Sequence, residues 1–148
     1  TIAQIPGYFS AAWLVERWGR KPTLVAYLLG TAAAAFLFGN AGTGTDAFVY
    51  AALLSFFNLG AWGVLYSFSP ELYPTAIRAT GAGIAASVGR IGGILGPFMT
   101  PVLVPVIGQA GVFAFFMALL AVTALNVFVL AEETRGRSLE DIAGPAAA

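Results

Sequence analysis

Residues 70–101 read PELYPTAIRATGAGIAASVGRIGGILGPFMTP, and this stretch decides the fold. A charged connector opens it, and a long apolar segment rich in glycine follows. Small residues recur every four positions in that segment, so they share one face of a helix. They are Gly81, Ala85, Gly89 and Gly93. Such a strip lets another backbone approach closely, which is a main source of helix association in lipid. The strip predicts a membrane helix packed closely against a neighbour.

The composition indicates a membrane protein. The 148 residues are 59% hydrophobic and 9% charged, with a mean hydropathy of +0.84, whereas about a quarter of the residues in soluble domains are charged. The net charge of +0 offers no basic patch for nucleic acid. Histidine and cysteine are both absent, which removes most metal sites, disulfides and the usual catalytic nucleophiles. We therefore expect no enzyme, no metal and no cofactor.

Apolar runs separated by short polar links predict an all-α polytopic membrane protein with one partial and four complete spans. The predicted spans are residues 1–15 (partial), 22–39, 47–68, 81–104 and 111–130, followed by a tail over 131–148. The first run is shorter than the roughly 20 residues that a spanning helix needs. We therefore expect this sequence to be part of a longer polytopic chain.

The distribution of cations predicts the sidedness of these spans. The loop at residues 16–21 holds three cations, the connector holds Arg78, and the tail holds Arg135 and Arg137. The two links on the other side hold none. By the positive-inside rule, the cation-bearing links and the C-terminus are cytoplasmic.

Arg90 is the exception to this distribution of charge at the inner edge. If its helix enters the membrane near Gly81, a rise of about 1.5 Å per residue places the Arg90 backbone roughly 13 Å deep. A central arginine costs about 2.5–3.5 kcal/mol on insertion scales, so a functional role is the default hypothesis. The alternative is a side chain that extends along the helix to the inner interface. Glu71 and Glu133 are the nearest predicted partners.

Asn58, Trp62 and Tyr66 are spaced by four residues and share one face of the third predicted span. An amide beside aromatic rings offers a stacking surface and oriented hydrogen-bonding groups to a small solute. Helix packing is the alternative for this face, and for Tyr66 a place in the interfacial aromatic belt. Because amides in lipid normally face the bundle interior, we predict that this face lines a substrate cavity.

Pro97, Pro101 and Pro105 also fall four residues apart. Each proline removes a backbone donor and crowds the carbonyl four residues back, so this part of the helix loses bonds at successive turns. We expect a hinge here, in the same helix as Gly81, Gly89 and Gly93. A static kink and a moving gate both fit the pattern.

Three motifs lie in order on the predicted cytoplasmic side. AWLVERWGRK (12–21) is similar to the pattern G-x-x-x-D-R-x-G-R-K, with Glu16 in place of the aspartate. PELYPTAIRATG (70–81) is similar to P-E-x-x-P-T-x-x-R-x-T-G. EETRGRSLEDI (132–142) is similar to P-E-T-K-G-R-S-L-E-E-I, with Glu132 in place of the proline. Together they resemble the C-terminal half of a major facilitator superfamily transporter, in the branch shared by sugar porters and aromatic-acid or niacin-type symporters.

The resemblance implies helices 8 to 12 of a twelve-helix bundle that works by alternating access in the cell membrane. Its partners would be the lipid bilayer, a small-molecule substrate with or without a proton, and the missing N-terminal helices of the same chain. The resemblance also implies a cytoplasmic charge network that holds the inner gate closed while the substrate site faces outward. Its members would be Glu16, Arg17, Gly19, Arg20, Lys21, Glu71, Arg78, Glu133, Arg135 and Arg137.

These features predict a secondary transporter, with proton symport of a small organic acid or related metabolite as the leading hypothesis. A sugar porter or facilitator is the alternative, although sugar porters usually carry tryptophan where this sequence has Tyr66. No carboxylate lies in the middle of a predicted span, so a coupling acid would lie outside this sequence. A non-transporting sensor or scaffold stays open because a fold does not fix a function.

Overall fold

The computed structural model describes residues 2–134, and this range contains four α-helices. They are α1 (Gln4–Trp18), α2 (Arg20–Gly39), α3 (Gly44–Glu71) and α4 (Arg78–Leu130). No strand occurs in the described range, and the all-α prediction is confirmed. By length and composition, α2, α3 and α4 can each cross a membrane.

A single residue separates α1 from α2. Gly19 has a φ of 102°, which lies in the left-handed region that glycine adopts without strain. The loop expected over residues 16–21 is therefore reduced to one position. α2 begins at Arg20, two residues before the predicted span 22–39, so Pro22 lies in its first turn.

The core lies where α1, α2 and α3 meet, and Tyr27 is at its centre. This tyrosine is 3% exposed, and its hydroxyl lies 2.7 Å from Ser10 Oγ. Gly60 lies directly against the Tyr27 ring, and Gly7 lies as close to the backbone of α3, so neither position has room for a side chain. The buried residues around Tyr27 are Ala11, Leu24, Ala61, Val64 and Phe68. Small residues thus allow three helices to pack at short range.

α4 consists of two segments that meet at Gly108, where φ is 72° and ψ is 166°. We call residues 78–107 the first segment and residues 109–130 the second segment. The sequence predicts an uncharged link over 105–111, whereas the helix continues through Pro105 and is interrupted at Gly108. The prolines weaken the helix locally but keep a helix-compatible φ, whereas the positive φ that Gly108 adopts takes the chain out of the helix.

The two segments of α4 differ in their packing. The second segment packs on α2, where the Phe113 ring lies 5.1 Å from the Phe38 ring and covers Gly39. The first segment is exposed along most of its length. A Cβ atom added at Gly89 or Gly93 would meet no atom of the described chain within 4 Å. Gly81, at the start of the strip, lies against the Tyr73 ring, so only the later part of the strip, at Gly89 and Gly93, has no neighbour among the described residues.

Candidate functional site

An apolar groove of about 600 Å³ runs between α2, α3 and the second segment of α4, and Gly92 of the first segment also lines it. Its lining residues are Leu24, Leu28, Thr31, Ala35, Leu54, Asn58, Ala61, Trp62, Leu65, Gly92, Phe113, Phe116, Leu119, Leu120, Thr123 and Val127. None of these residues is charged. Most of the surface is aliphatic or aromatic, as in sites that bind small organic molecules.

Two of the three predicted cavity residues lie on this groove. Asn58 and Trp62 line it directly. Tyr66 is not in the lining, but its ring lies 5.4 Å from the Trp62 ring at an angle of 31°. The structure therefore brings the three together as one exposed patch of α3, in which Tyr66 supports the tryptophan from the side.

The other polar groups of the groove are bound within their own helices. The Thr31 hydroxyl donates to the carbonyl of Tyr27 at 2.7 Å, and the Thr123 hydroxyl donates to the carbonyl of Leu119 at 2.8 Å. No hydrogen bond joins the Asn58 amide or the Trp62 indole N–H to another described residue. The groove thus offers one amide, with donor and acceptor, and one indole donor beside a flat ring.

Arg90 does not belong to this patch. It lies two residues from Gly92, which is about 200° around the helix, so it points away from the groove that Gly92 lines. The side chain is exposed, and no ion pair or hydrogen bond connects it to another residue in 2–134. Glu71, one of its predicted partners, instead binds Arg20.

A cluster of charged side chains lies near Gly19, at the end of the helical bundle where α1 meets α2. The Arg20 Nε atom is 3.3 Å from Glu71 Oε2, and Arg20 Nη2 donates to Glu71 Oε1 at 3.4 Å. The Thr134 hydroxyl also donates to the Glu71 carboxylate. We call this set the charged cluster, and it joins α2, α3 and the chain after α4 at one point.

Glu133 completes the charged cluster by capping α2. Its Oε1 accepts the Arg20 backbone N–H at 2.9 Å, and its Oε2 accepts the Lys21 backbone N–H at 3.0 Å. The first N–H groups of a helix have no intrahelical acceptor and carry partial positive charge, so a carboxylate there is favourable. The same carboxylate fills the space where a side chain at Gly19 would stand.

The remaining predicted gate residues take other places. Arg78 donates from Nε to the carbonyl of Pro70 at 3.1 Å, which closes the connector on itself. The Arg17 guanidinium lies over the Trp13 ring at 4.9 Å. Glu16 faces a separate cleft between α1 and α3. Arg135 and Arg137 lie outside the described residues, as does the rest of the predicted tail after Thr134.

Sequence reasoning missed two groups of site residues. Thr134 is 5% exposed and binds Glu71, but a threonine in a polar tail gives no signal before its partner is known. The second segment of α4 supplies Phe113, Phe116 and Leu120 to the groove. Their spacing of three and four indicates one helical face, and this pattern was available in the sequence.

Comparison with known proteins agrees with this architecture. A family profile described as "Sugar (and other) transporter" matches residues 3–144. The niacin transporter NiaP of Acinetobacter baylyi is 51% identical over 142 residues, which cover 95% of this chain and 32% of that protein. A Bacillus subtilis protein named for niacin and nicotinamide transport is 50% identical over 141 residues, covering 95% and 35%.

A plant relative is more distant. The organic cation/carnitine transporter 7 of Arabidopsis thaliana is 35% identical over 144 residues, which cover 95% of this chain and 28% of that protein. The chain therefore spans about a third of the length of the curated relatives that it matches. On the match to the family profile and on these relatives, the chain belongs to the sugar (and other) transporter family of the major facilitator superfamily.

Proposed function

We propose that this chain forms part of a secondary transporter and that the groove face with Asn58 and Trp62 binds the solute. The observation that carries the proposal is the pairing of an unengaged amide with an unengaged indole N–H on an apolar, ring-lined surface. In an apolar environment an unpaired polar group is unfavourable. A solute that brings its own hydrogen-bonding groups removes that penalty.

The solute class that we propose is a small aromatic acid or its amide. A pyridine ring stacks on Trp62, and a carboxylate or carboxamide bonds the Asn58 amide. Relatives named for niacin and nicotinamide support this choice. Proton symport belongs to the proposal as well, with any titrating carboxylate outside this groove, because the lining of the groove contains none.

We further assign the charged cluster to the cytoplasmic side and to the inner gate. Alternating access needs two states that differ by a few kcal/mol. The contacts of Glu71 and Glu133 fix the ends of α2 and α3 relative to each other. A fixed set of helix ends can then move as one body against the rest of the transporter. This placement puts the C-terminus in the cytoplasm of a multi-pass protein of the cell membrane.

The test compares Asn58→Ala with Asn126→Ala in uptake by proteoliposomes of the complete protein. Asn126 is a matched control because it is exposed, bonds its own helix at Val122, and does not line the groove. We expect Asn58→Ala to raise the KM for nicotinate about 5- to 10-fold, the value of one hydrogen bond, and Asn126→Ala to leave it unchanged. An unchanged KM in Asn58→Ala removes Asn58 from the site.

The same assay separates the transport modes. Accumulation of nicotinate driven by a pH gradient supports symport, whereas equilibration without accumulation supports a facilitator. Uptake of hexose in place of nicotinate would establish a sugar porter. A complete protein that moves neither solute would contradict the transporter proposal and support a sensor or scaffold.

A further inference from the structure

A cleft of about 220 Å³ lies between α1 and α3, separate from the groove. Its lining residues are Tyr8, Ala11, Ala12, Val15, Glu16, Arg20, Gly63, Val64 and Ser67. The α1 residues of this set follow the spacing of three and four that marks one face of a helix. Unlike the groove, the cleft contains both an acidic and a basic side chain.

The acidic side chain of the cleft is uncompensated within residues 2–134. Glu16 is exposed, and no hydrogen bond or ion pair joins it to another described residue. Arg20 approaches Glu71 through its Nε and Nη2 atoms. A guanidinium has five N–H donors, so this contact leaves donors for a second acceptor. The cleft therefore combines a carboxylate with donors of a guanidinium.

An aromatic ring is held at the other end of the cleft. The Tyr8 ring lies against the Cα of Gly63, where an added Cβ would be 2.9 Å from the ring. The glycine thus allows the ring to lie close to α3. Tyr8 is 52% exposed, which leaves a ring surface open to a bound molecule. Cations and flat rings both bind favourably to such a surface.

We propose that this cleft is a second binding site, for a small zwitterionic ring compound. The positive end of the ligand lies at Glu16, its carboxylate lies at the donors of Arg20, and its ring packs beside Tyr8. The two charges of the ligand pair with the opposite charges of Glu16 and Arg20. Glu16 attracts an ammonium or pyridinium group and repels a purely anionic ring compound.

The cleft complements the groove, and its place on the solute's path rests on the proposed function. The groove has no charged lining residue, so it selects the ring and its hydrogen-bonding groups without selecting charge. The cleft selects charge. Because Arg20 also belongs to the charged cluster, the cleft lies at the end of the helices where the solute would leave toward the cytoplasm.

The test measures equilibrium binding of three labelled probes to the complete protein in nanodiscs. The probes are N-methylpyridinium-3-carboxylate, a fixed zwitterion, nicotinamide, a neutral compound, and benzoate, an anion. We expect Glu16→Gln to weaken binding of the zwitterion about fivefold, the value of one partly exposed ion pair. Benzoate binding should tighten, because a repulsive charge is lost, and nicotinamide binding should not change. Glu16→Asp should restore binding of the zwitterion.

Glu132→Gln is the matched control, because Glu132 is an exposed glutamate that does not line the cleft. We expect it to leave the ratios among the three probes unchanged. A purely structural role of Glu16 moves all three probes in the same direction, and that result overturns the proposal, as does a native protein that binds no zwitterion. Binding with the expected pattern but without uptake would instead contradict the transport function and leave the cleft intact.

Discussion

The helical block of α1, α2, α3 and the second segment of α4 differs sharply from the first segment of α4, residues 78–107. Inside the block, glycine permits contact: Gly60 lies against Tyr27, and Gly39 lies against Phe113. In the first segment, Gly89 and Gly93 have open space where a side chain would stand. The same residue type therefore serves close packing in one region and presents a smooth, uncovered surface in the other.

A small-residue pattern therefore predicts that a helix can be approached closely, but it does not identify the partner. The block contains its own partners, so its glycines are used within the described chain. The strip of the first segment has the same four-residue spacing, but after Gly81, which lies against Tyr73, its glycines have no neighbour among the described residues. Since the chain covers about a third of its relatives' length, a helix from the rest of the transporter is the partner that we propose.

The largest effect is expected from Gly60→Val. The new side chain would collide with the Tyr27 ring, and overpacking of this kind costs about 3 kcal/mol of unfolding free energy. Gly83→Val is the matched control, because Gly83 has no described neighbour within 4 Å and lies off the strip. SDS titration of the complete protein measures both. Equal losses in the two variants would contradict the contrast between the regions.

The same titration on Gly89→Val tests whether another helix packs on the strip of the first segment. A loss between those of Gly60→Val and Gly83→Val is expected if a helix outside the described residues packs on the strip. A loss no greater than that of Gly83→Val would mean that the strip faces lipid and has no helix partner.

The smallest effect on unfolding is expected from Arg90→Ala, since Arg90 is exposed and has no partner among residues 2–134. We expect a change below about 0.5 kcal/mol together with loss of nicotinate uptake, because an intramembrane charge without a structural partner is a functional group by default. Arg90→Lys, which keeps the charge, should retain part of the uptake. Normal uptake by Arg90→Ala would show that the side chain extends to the interface without a role in transport.

The charged cluster belongs to the block, and this refines its role. The hydrogen bonds and the ion pair of the Arg20 and Glu71 side chains join α2, α3 and the chain after α4. These contacts hold the block together at one end, so they can persist through a rigid rocking motion. The resemblance to the family implies a network that opens and closes, whereas within residues 2–134 the contacts of the cluster lie inside the block, and we propose that they stay formed during transport.

Much of the fold could be predicted from the sequence, because helix periodicity and hydropathy are local properties. The all-α class follows from them directly. The exact turns could not be predicted: Gly19 replaces a six-residue loop because the distant Glu133 caps the next helix, and Glu133 lies 113 residues after Arg20, whose backbone N–H it accepts. The break at Gly108 in place of a loop at 105–111 depends on backbone conformations that local pattern does not determine.

Part of the candidate site could also be predicted, because the residues that share a helical face follow from local periodicity. Asn58 and Trp62 share a helical face, so the sequence placed them together, and the groove lies on that face. Glu16 and Arg20 were grouped by motif, and both line the cleft between α1 and α3, while Arg20 also pairs with Glu71. The cleft itself depends on the packing of α1 against α3, which no single motif contains.

Protection of an introduced thiol tests whether the solute occupies the groove at Asn58. The sequence contains no cysteine, so the Asn58→Cys variant carries one thiol in this stretch, and Asn126→Cys is the matched control. We predict that saturating nicotinate slows modification of the Asn58→Cys variant by a methanethiosulfonate reagent several-fold and does not alter the Asn126→Cys rate. Equal rates at position 58 with and without nicotinate would contradict the account.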